Sequence, residues 1–240
     1  MIALLRFFIV LPLFALLCVT GCLFCIFRPF HRNNTRVVAH WLSALSPLFG
    51  IKLITRVNTE QSYTPKVFIG NHQSSYDLFT ISSAVTDGTV SMGKKSIRWF
   101  PFFGQLYWLS GNILIDRSNK NKARGTIDQV VDRISKDQLS LWMFPEGTRS
   151  RGQGLLPFKM GAFHTAIQAK VPIVPVVMST TTNFKLNRFN NGYAIAQALD
   201  PISTEGYDKN SAKELAQFCH QLMTDKIAEL DREVTRLNNQ

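Results

Sequence analysis

Gly70-Asn71-His72-Gln73-Ser74-Ser75-Tyr76-Asp77 places a carboxylate five positions after an imidazole. Across a loop-to-helix turn, that spacing lets the carboxylate bond one ring nitrogen, fix the tautomer and leave the other nitrogen as a base. Such a pair can deprotonate an attacking hydroxyl supplied by a substrate, with the carboxylate stabilising the imidazolium that forms. The same spacing describes a surface histidine beside an aspartate cap, and the residues alone leave both readings open. Phe144-Pro145-Glu146-Gly147-Thr148-Arg149-Ser150-Arg151-Gly152 sets two arginines and two glycines directly behind an apolar run. Small residues let backbone donors approach an anion, and a guanidinium bonds phosphate through two parallel hydrogen bonds. A solvated turn has the same composition. The glycine spacing and Lys-Ser/Thr ending of a nucleotide-binding P-loop are absent.

Weaker candidates stand nearby in the chain. Asp116-Arg117 follows an apolar run and reads as an ion-paired turn or as part of an anion site. Lys94 and Lys95, just before Trp99-Phe100-Pro101-Phe102-Phe103-Gly104, suit either a phosphate or a membrane surface. His31, His40, His164 and His220 share no metal-ligand spacing, and Ser74 and Ser75 lie outside a nucleophile-elbow pattern. Neither a metal centre nor an acyl-serine hydrolase is indicated. Cys18, Cys22 and Cys25 fall in an apolar run and Cys219 stands alone, so no disulfide framework or zinc spacing emerges.

The scaffold for these groups is read from hydrophobic patterning. Short apolar runs rich in β-branched residues at 51–57, 66–69, 89–92, 112–115, 139–144, 173–177 and 193–199 predict strands. Residues 122–136, with Ile127, Val130, Val131 and Ile134 on one face, predict a helix, as do 163–170 and 211–237. The last opens at Ser211 with Glu214 three residues later, the pattern of a capping box. Strands alternating with helices predict an α/β fold, a mixed, largely parallel sheet flanked by helices. Loops at the carboxyl ends of such strands are where chemistry collects. The three polar clusters come directly after the strands ending at Ile69, Ile115 and Phe144.

The chain of 240 residues is long enough for one domain of ordinary core size plus a terminal extension, and 45% of it is hydrophobic. The net charge is +11, from 27 basic and 16 acidic residues, which implies an anionic partner. Before Asn58 the chain carries Arg6, Arg28, Arg32, Arg36, Lys52 and Arg56 and no carboxylate. That placement, around an apolar segment, favours a membrane surface over nucleic acid. Residues 7–27 are uncharged and long enough to cross a bilayer. The arginines after this run place the rest of the chain on the cytoplasmic side by the positive-inside rule. A cleaved secretory signal fits poorly, although Val19-Thr20-Gly21-Cys22 has the look of a degenerate lipoprotein box. Residues 37–53, with Val38, Trp41, Leu42, Leu45 and Leu48 at helical spacing, predict an amphipathic interfacial helix.

Four blocks in order resemble the glycerolipid acyltransferases, most closely the bacterial 1-acyl-sn-glycerol-3-phosphate acyltransferases. They are His72 to Asp77, the family's His-x4-Asp; Gly111 to Arg117; Phe144 to Arg149; and Val171-Pro172-Ile173-Val174-Pro175-Val176. The resemblance continues through Gly93-Lys94-Lys95-Ser96 and Leu156-Pro157-Phe158-Lys159. It implies acyl transfer from acyl-CoA or acyl carrier protein to the sn-2 hydroxyl of lysophosphatidic acid, giving phosphatidate. It implies His72 as base, Asp77 as its partner, and an acceptor-phosphate site of Gly147, Thr148 and Arg149 with Glu146 shaping the loop. Arg117 and Lys94 are further phosphate candidates. No cofactor is implied, and membrane phospholipids are the surroundings. Residues 1–53 are then expected to be membrane-anchoring helices and residues 54–240 an acyltransferase domain on the cytoplasmic side of a bacterial inner membrane. Glycerol 3-phosphate or another lysolipid as acceptor, and a silent membrane lipid-binding protein, are the alternatives.

Overall fold

The computed structural model describes residues 1–57, 64–116 and 120–240, with the backbone alone for residues 120–124. All seven expected strands form: β1 (Ile51–Arg56), β2 (Val67–Gly70), β3 (Thr89–Lys94), β4 (Ile113–Ile115), β5 (Ser140–Met143), β6 (Ile173–Met178) and β7 (Gly192–Ala198). They lie in the order β1-β7-β6-β2-β5-β3-β4. Neighbours run parallel except β6 and β7, which makes the sheet mixed and largely parallel, as the patterning predicts. Parallel neighbours need a crossover, whereas β6 and β7 are joined by a loop without a helix and can pair antiparallel.

Among the described residues, six α-helices flank the sheet: α1 (Ile2–Ile26), α2 (Asn34–Ser43), α3 (Phe103–Leu109), α4 (Lys120–Asp137), α5 (Gly161–Ala169) and α6 (Ala212–Asn238). Alternation along β6 shows how both faces are used. Ile173 and Val177 pack with Phe163 of α5 and Leu215 and Met223 of α6. Val174, Val176 and Met178 face the other way, onto Ala39 of α2, Phe49 and Ile81. A strand buried on both sides must be apolar throughout, which is why this segment reads as a continuous hydrophobic run.

The uncharged N-terminal run forms α1, with a mean hydropathy of 2.7 and the length to cross a bilayer. Yet it docks along the domain through Arg6, Val10, Phe14, Cys18, Gly21 and Cys25, a stripe at intervals of three and four. Val10 packs onto the cluster around Phe49 and Met178. Phe14 lies 5.8 Å from the Phe103 ring and 6.4 Å from Phe79, and Cys18 and Cys25 are fully buried. A Cβ on Gly21 would meet Leu106 Cδ1 at 2.8 Å, so glycine is what lets α1 and α3 touch. Arg6 is only 8% exposed, and its guanidinium donates to the carbonyls of Leu48, Leu186, Arg188 and Phe189. The charge counted as an N-terminal flank is therefore held inside the protein. The other side of α1, with Leu4, Phe8, Leu11, Leu16 and Leu23, is bare.

Two local expectations are corrected. Residues 37–53 do not make one interfacial helix: α2 stops at Ser43, residues Ser46–Phe49 form a 3-10 turn, and Gly50 turns the chain at φ 70° into β1. Pro47 has no N–H to extend α2, and Ile51 and Leu53 pair with Gly192 and Ala194. Val38 and Leu42 of the expected lipid face are buried against α1 and α3, whereas Trp41, Leu45 and Leu48 stay partly exposed. The boundary between residues 53 and 54 falls inside β1. At α6, Ser211 makes no cap bond. Its hydroxyl donates to Asp208 Oδ1 at 3.0 Å and accepts from Asp208 N, closing a tight turn ahead of the helix.

Candidate active site

The site is built where β2 and its neighbour β5 end. Beyond Gly70, the Asn71 side chain continues the sheet: it accepts from Met178 N at 2.8 Å and donates to Met178 O at 2.9 Å. Gln73 is buried and ties the same turn to the end of β6, donating to Ser179 O at 2.9 Å and accepting from Thr181 N at 2.9 Å. These two amides fix the backbone on either side of His72. Neither carries a local signal of that role in the sequence.

The imidazole and carboxylate meet as their spacing suggests. His72 Nδ1 lies 2.6 Å from Asp77 Oδ2. The same oxygen accepts from Gln73 N at 2.7 Å and Ser74 N at 3.1 Å, so one carboxylate oxygen collects three donors. The turn Ser75–Leu78 opens with a capping box, Ser74 accepting from Tyr76 N and Asp77 reaching back to Ser74 N. Ser74-x-x-Asp77 is the legible signal of that geometry. The aspartate thus caps the turn and bonds the histidine ring at once. With Nδ1–H given to a carboxylate that is 3% exposed, Nε2 carries the free lone pair. The ring stacks on Phe144, 4.3 Å between centroids at 19°, which sets its plane.

The loop after β5 is zipped onto the histidine turn. Ser150 N donates to His72 O at 2.8 Å and Arg151 N to Gln73 O at 3.0 Å. Glu146, 2% exposed, accepts from His72 N at 2.6 Å and from Leu156 N at 2.9 Å. Burial pushes its carboxyl pKa up, against the lowering by those two backbone donors. It thereby ties the histidine turn to residue 156. Gly147 stands at φ 71°, and a Cβ there would lie 2.7 Å from Lys159 Nζ. Lys159 therefore arches over the loop, a cation to which the motif assigns no role.

Thr148 and Arg149 are exposed at the tip of this loop, and Arg149 has no ion pair among the described residues. Adjacent strands lie about 5 Å apart. Glu146 to Arg149 come after the strand next to β2, whereas Lys94 ends β3, one strand further out. Lys94 lines a cavity of about 440 Å³ with Lys95, Arg98, Trp99 and Asp116. The sequence candidates are thus split between a loop touching His72 and a separate pocket. Arg117 lies outside the described residues.

An imidazole base beside an exposed guanidinium suits proton removal from a hydroxyl carried by an anionic molecule. Residues 53–179 match the acyltransferase family model. The chain is 51% identical over 240 residues to the 1-acyl-sn-glycerol-3-phosphate acyltransferase of Haemophilus influenzae, covering 99% of this chain and all of that one. Identity to the enzyme of the same name from Escherichia coli is 52% over 221 residues, 91% of this chain and 90% of that one. The fold is similar to the crystal structure of the 1-acyl-sn-glycerophosphate acyltransferase from Thermotoga maritima, with a TM-score of 0.71 at 18% identity over 95% of this chain and 94% of that one. On the family match and these identities, the chain belongs to the acyltransferase family.

Proposed function

We propose that this protein transfers an acyl chain from a thioester, acyl-CoA or acyl carrier protein, to the sn-2 hydroxyl of 1-acyl-glycerol 3-phosphate, forming phosphatidate for phospholipid synthesis. The observation that carries the reading is the His72–Asp77 pair with Nε2 unengaged, one strand away from the exposed Arg149. Nε2 takes the hydroxyl proton as the oxygen attacks the thioester carbonyl. The tetrahedral intermediate collapses with loss of the thiolate, which recovers that proton from the imidazolium. Asp77 stabilises the imidazolium between the two transfers. Arg149, with the backbone of Gly147 and Thr148, receives the acceptor phosphate, because its loop is bonded directly to the histidine turn, Ser150 N donating to His72 O, whereas Lys94 ends a strand further out. Lys94 then serves the periphery of the site.

The bare side of α1 lies in one leaflet of a membrane while the stripe from Arg6 to Cys25 stays on the domain. A lysolipid reaches the site sideways from that leaflet. The bacterial inner membrane, with the site facing the cytoplasm, is the compartment where thioester donors and lysolipid meet. The test is an acyl-transfer assay with purified protein across both donors and with lysophosphatidate, glycerol 3-phosphate and monoacylglycerol as acceptors. Thiol release that needs no lysophosphatidate, or that favours another acceptor, overturns the assignment.

A further inference from the structure

The end of α1 is continuous with a second apolar surface that the fold has no internal use for. Trp99 is 76% exposed, Phe100 64%, Phe102 55% and Trp108 53%. Large aromatic side chains so bare and so close in sequence mark an interaction surface. Phe102 adopts φ 62°, a backbone conformation costly for a bulky residue, so strain is spent holding this ring away from the core.

Cations border the rings. Lys94, Lys95 and Arg98 are all exposed, and the Arg98 guanidinium lies 5.0 Å over the Trp99 ring. The carboxylate lining the same cavity is Asp116, 4.0 Å from Lys95. Aromatic rings beside lysine and arginine match the boundary of an anionic bilayer, with rings among the upper acyl carbons and cations against phosphates. The patch also joins the bare side of α1. Cys22 Sγ, partly exposed near the end of α1, lies 3.8 Å from Phe102 O, and Trp108 packs on Phe30 at 5.0 Å. Phe27, at the end of α1, is exposed beside them.

We infer that the segment from Lys94 to Trp108 is a second membrane-docking surface, which seats the catalytic edge of the sheet on an anionic phospholipid bilayer. It rests on the membrane reading of α1 and adds orientation to it. A lone helix leaves the domain free to roll about its axis, whereas two contacts hold one edge down. Lys94 is the last residue of β3, so the edge held at headgroup level is the one that carries His72 and Arg149.

Full-length protein is reconstituted with phosphatidylcholine and phosphatidylglycerol whose acyl chains are brominated at shallow or deep carbons. Flotation reports attachment, and the difference in quenching between wild type and Trp99→Phe reports the depth of Trp99. Shallow bromines should quench Trp99. Phe100→Ser with Phe102→Ser should float through α1 and turn over a monodisperse short-chain acceptor as wild type does. On vesicle-borne acceptor, KM should rise about tenfold. Arg98→Gln should raise KM about fivefold on phosphatidylglycerol vesicles and not on phosphatidylcholine alone. Protein that fails to float sinks the membrane reading and this surface together. Protein that floats while Trp99 meets no bromine and stays open to aqueous acrylamide overturns the second surface alone, and identifies the patch as water-facing or as a protein contact.

Discussion

Asp77→Asn separates the charge of the carboxylate from its geometry. His72 Nδ1–H, Gln73 N–H and Ser74 N–H all reach the single oxygen Oδ2, while Oδ1 is buried and meets no donor. An asparagine can therefore set its carbonyl oxygen at the Oδ2 position and its NH2 where Oδ1 stood, keeping the imidazole in place and in the same tautomer. What disappears is charge. Hydrogen bonds to ionised groups contribute about 1.5–3 kcal/mol and those between neutral groups about 0.5–1.5. The imidazolium thus loses about 1–2 kcal/mol of stabilisation, a fall in kcat of roughly 5–30-fold. His72→Ala removes the base itself and should cost about 10²–10⁴-fold. The buried NH2 has no acceptor, which costs about 1–3 kcal/mol of stability and lowers Tm by roughly 2–4 °C per kcal/mol in a chain of this size. The assay is thiol release at saturating lysophosphatidate for wild type, Asp77→Asn and His72→Ala, with Tm measured on each. An Asp77→Asn protein as inactive as His72→Ala would contradict this account, because the amide must then have turned its NH2 toward the ring and imposed the wrong tautomer. Full activity would contradict it from the other side, since the charge would have no part in the reaction.

Arg149→Ala should lower kcat/KM for lysophosphatidate by about 10–150-fold while sparing monoacylglycerol, and Arg149→Lys should recover part of it; an unchanged acceptor ratio places the phosphate elsewhere. Glu146→Ala orphans the amides of His72 and Leu156 and should cost about 2–4 kcal/mol in denaturant titration. Because burial raises the folded pKa of Glu146, the native state holds this proton to higher pH than the unfolded chain does. Its contribution to stability is then full below the ordinary carboxylate range and is lost as pH rises through the folded value. The stability of wild type relative to Glu146→Gln should fall with pH across that window, and a flat difference refutes the linkage. Arg6→Ala strips the shared donor from four carbonyls and should cost about 2–4 kcal/mol, read as lower Tm and new proteolysis near the N-terminus in detergent. Arg6→Lys, with a point charge and no planar fork, should restore only part of that loss.

Much of the chemistry is local and so legible in the residues. All seven strands lie in apolar runs bounded by polar or turn residues, and the blocks around His72 and Glu146 stand directly after two of them. The His72–Asp77 contact is also local, since a turn capped by Ser74 brings residues five apart together. Strand order is not local. That β5 lies beside β2, placing Arg149 one strand from His72 and Lys94 two, depends on which apolar faces pack together across distant parts of the chain. Asn71 and Gln73 are invisible in sequence for the same reason, because their partners at Met178, Ser179 and Thr181 are about a hundred positions away. The N-terminus shows the division most sharply. Composition alone makes α1 long and apolar enough to cross a membrane, but a run that is apolar on every side has no stripe to say which face will dock. Only packing selects the face from Arg6 to Cys25, because a buried guanidinium needs the carbonyls at 48 and 186–189 and Leu106 needs the space that Gly21 leaves.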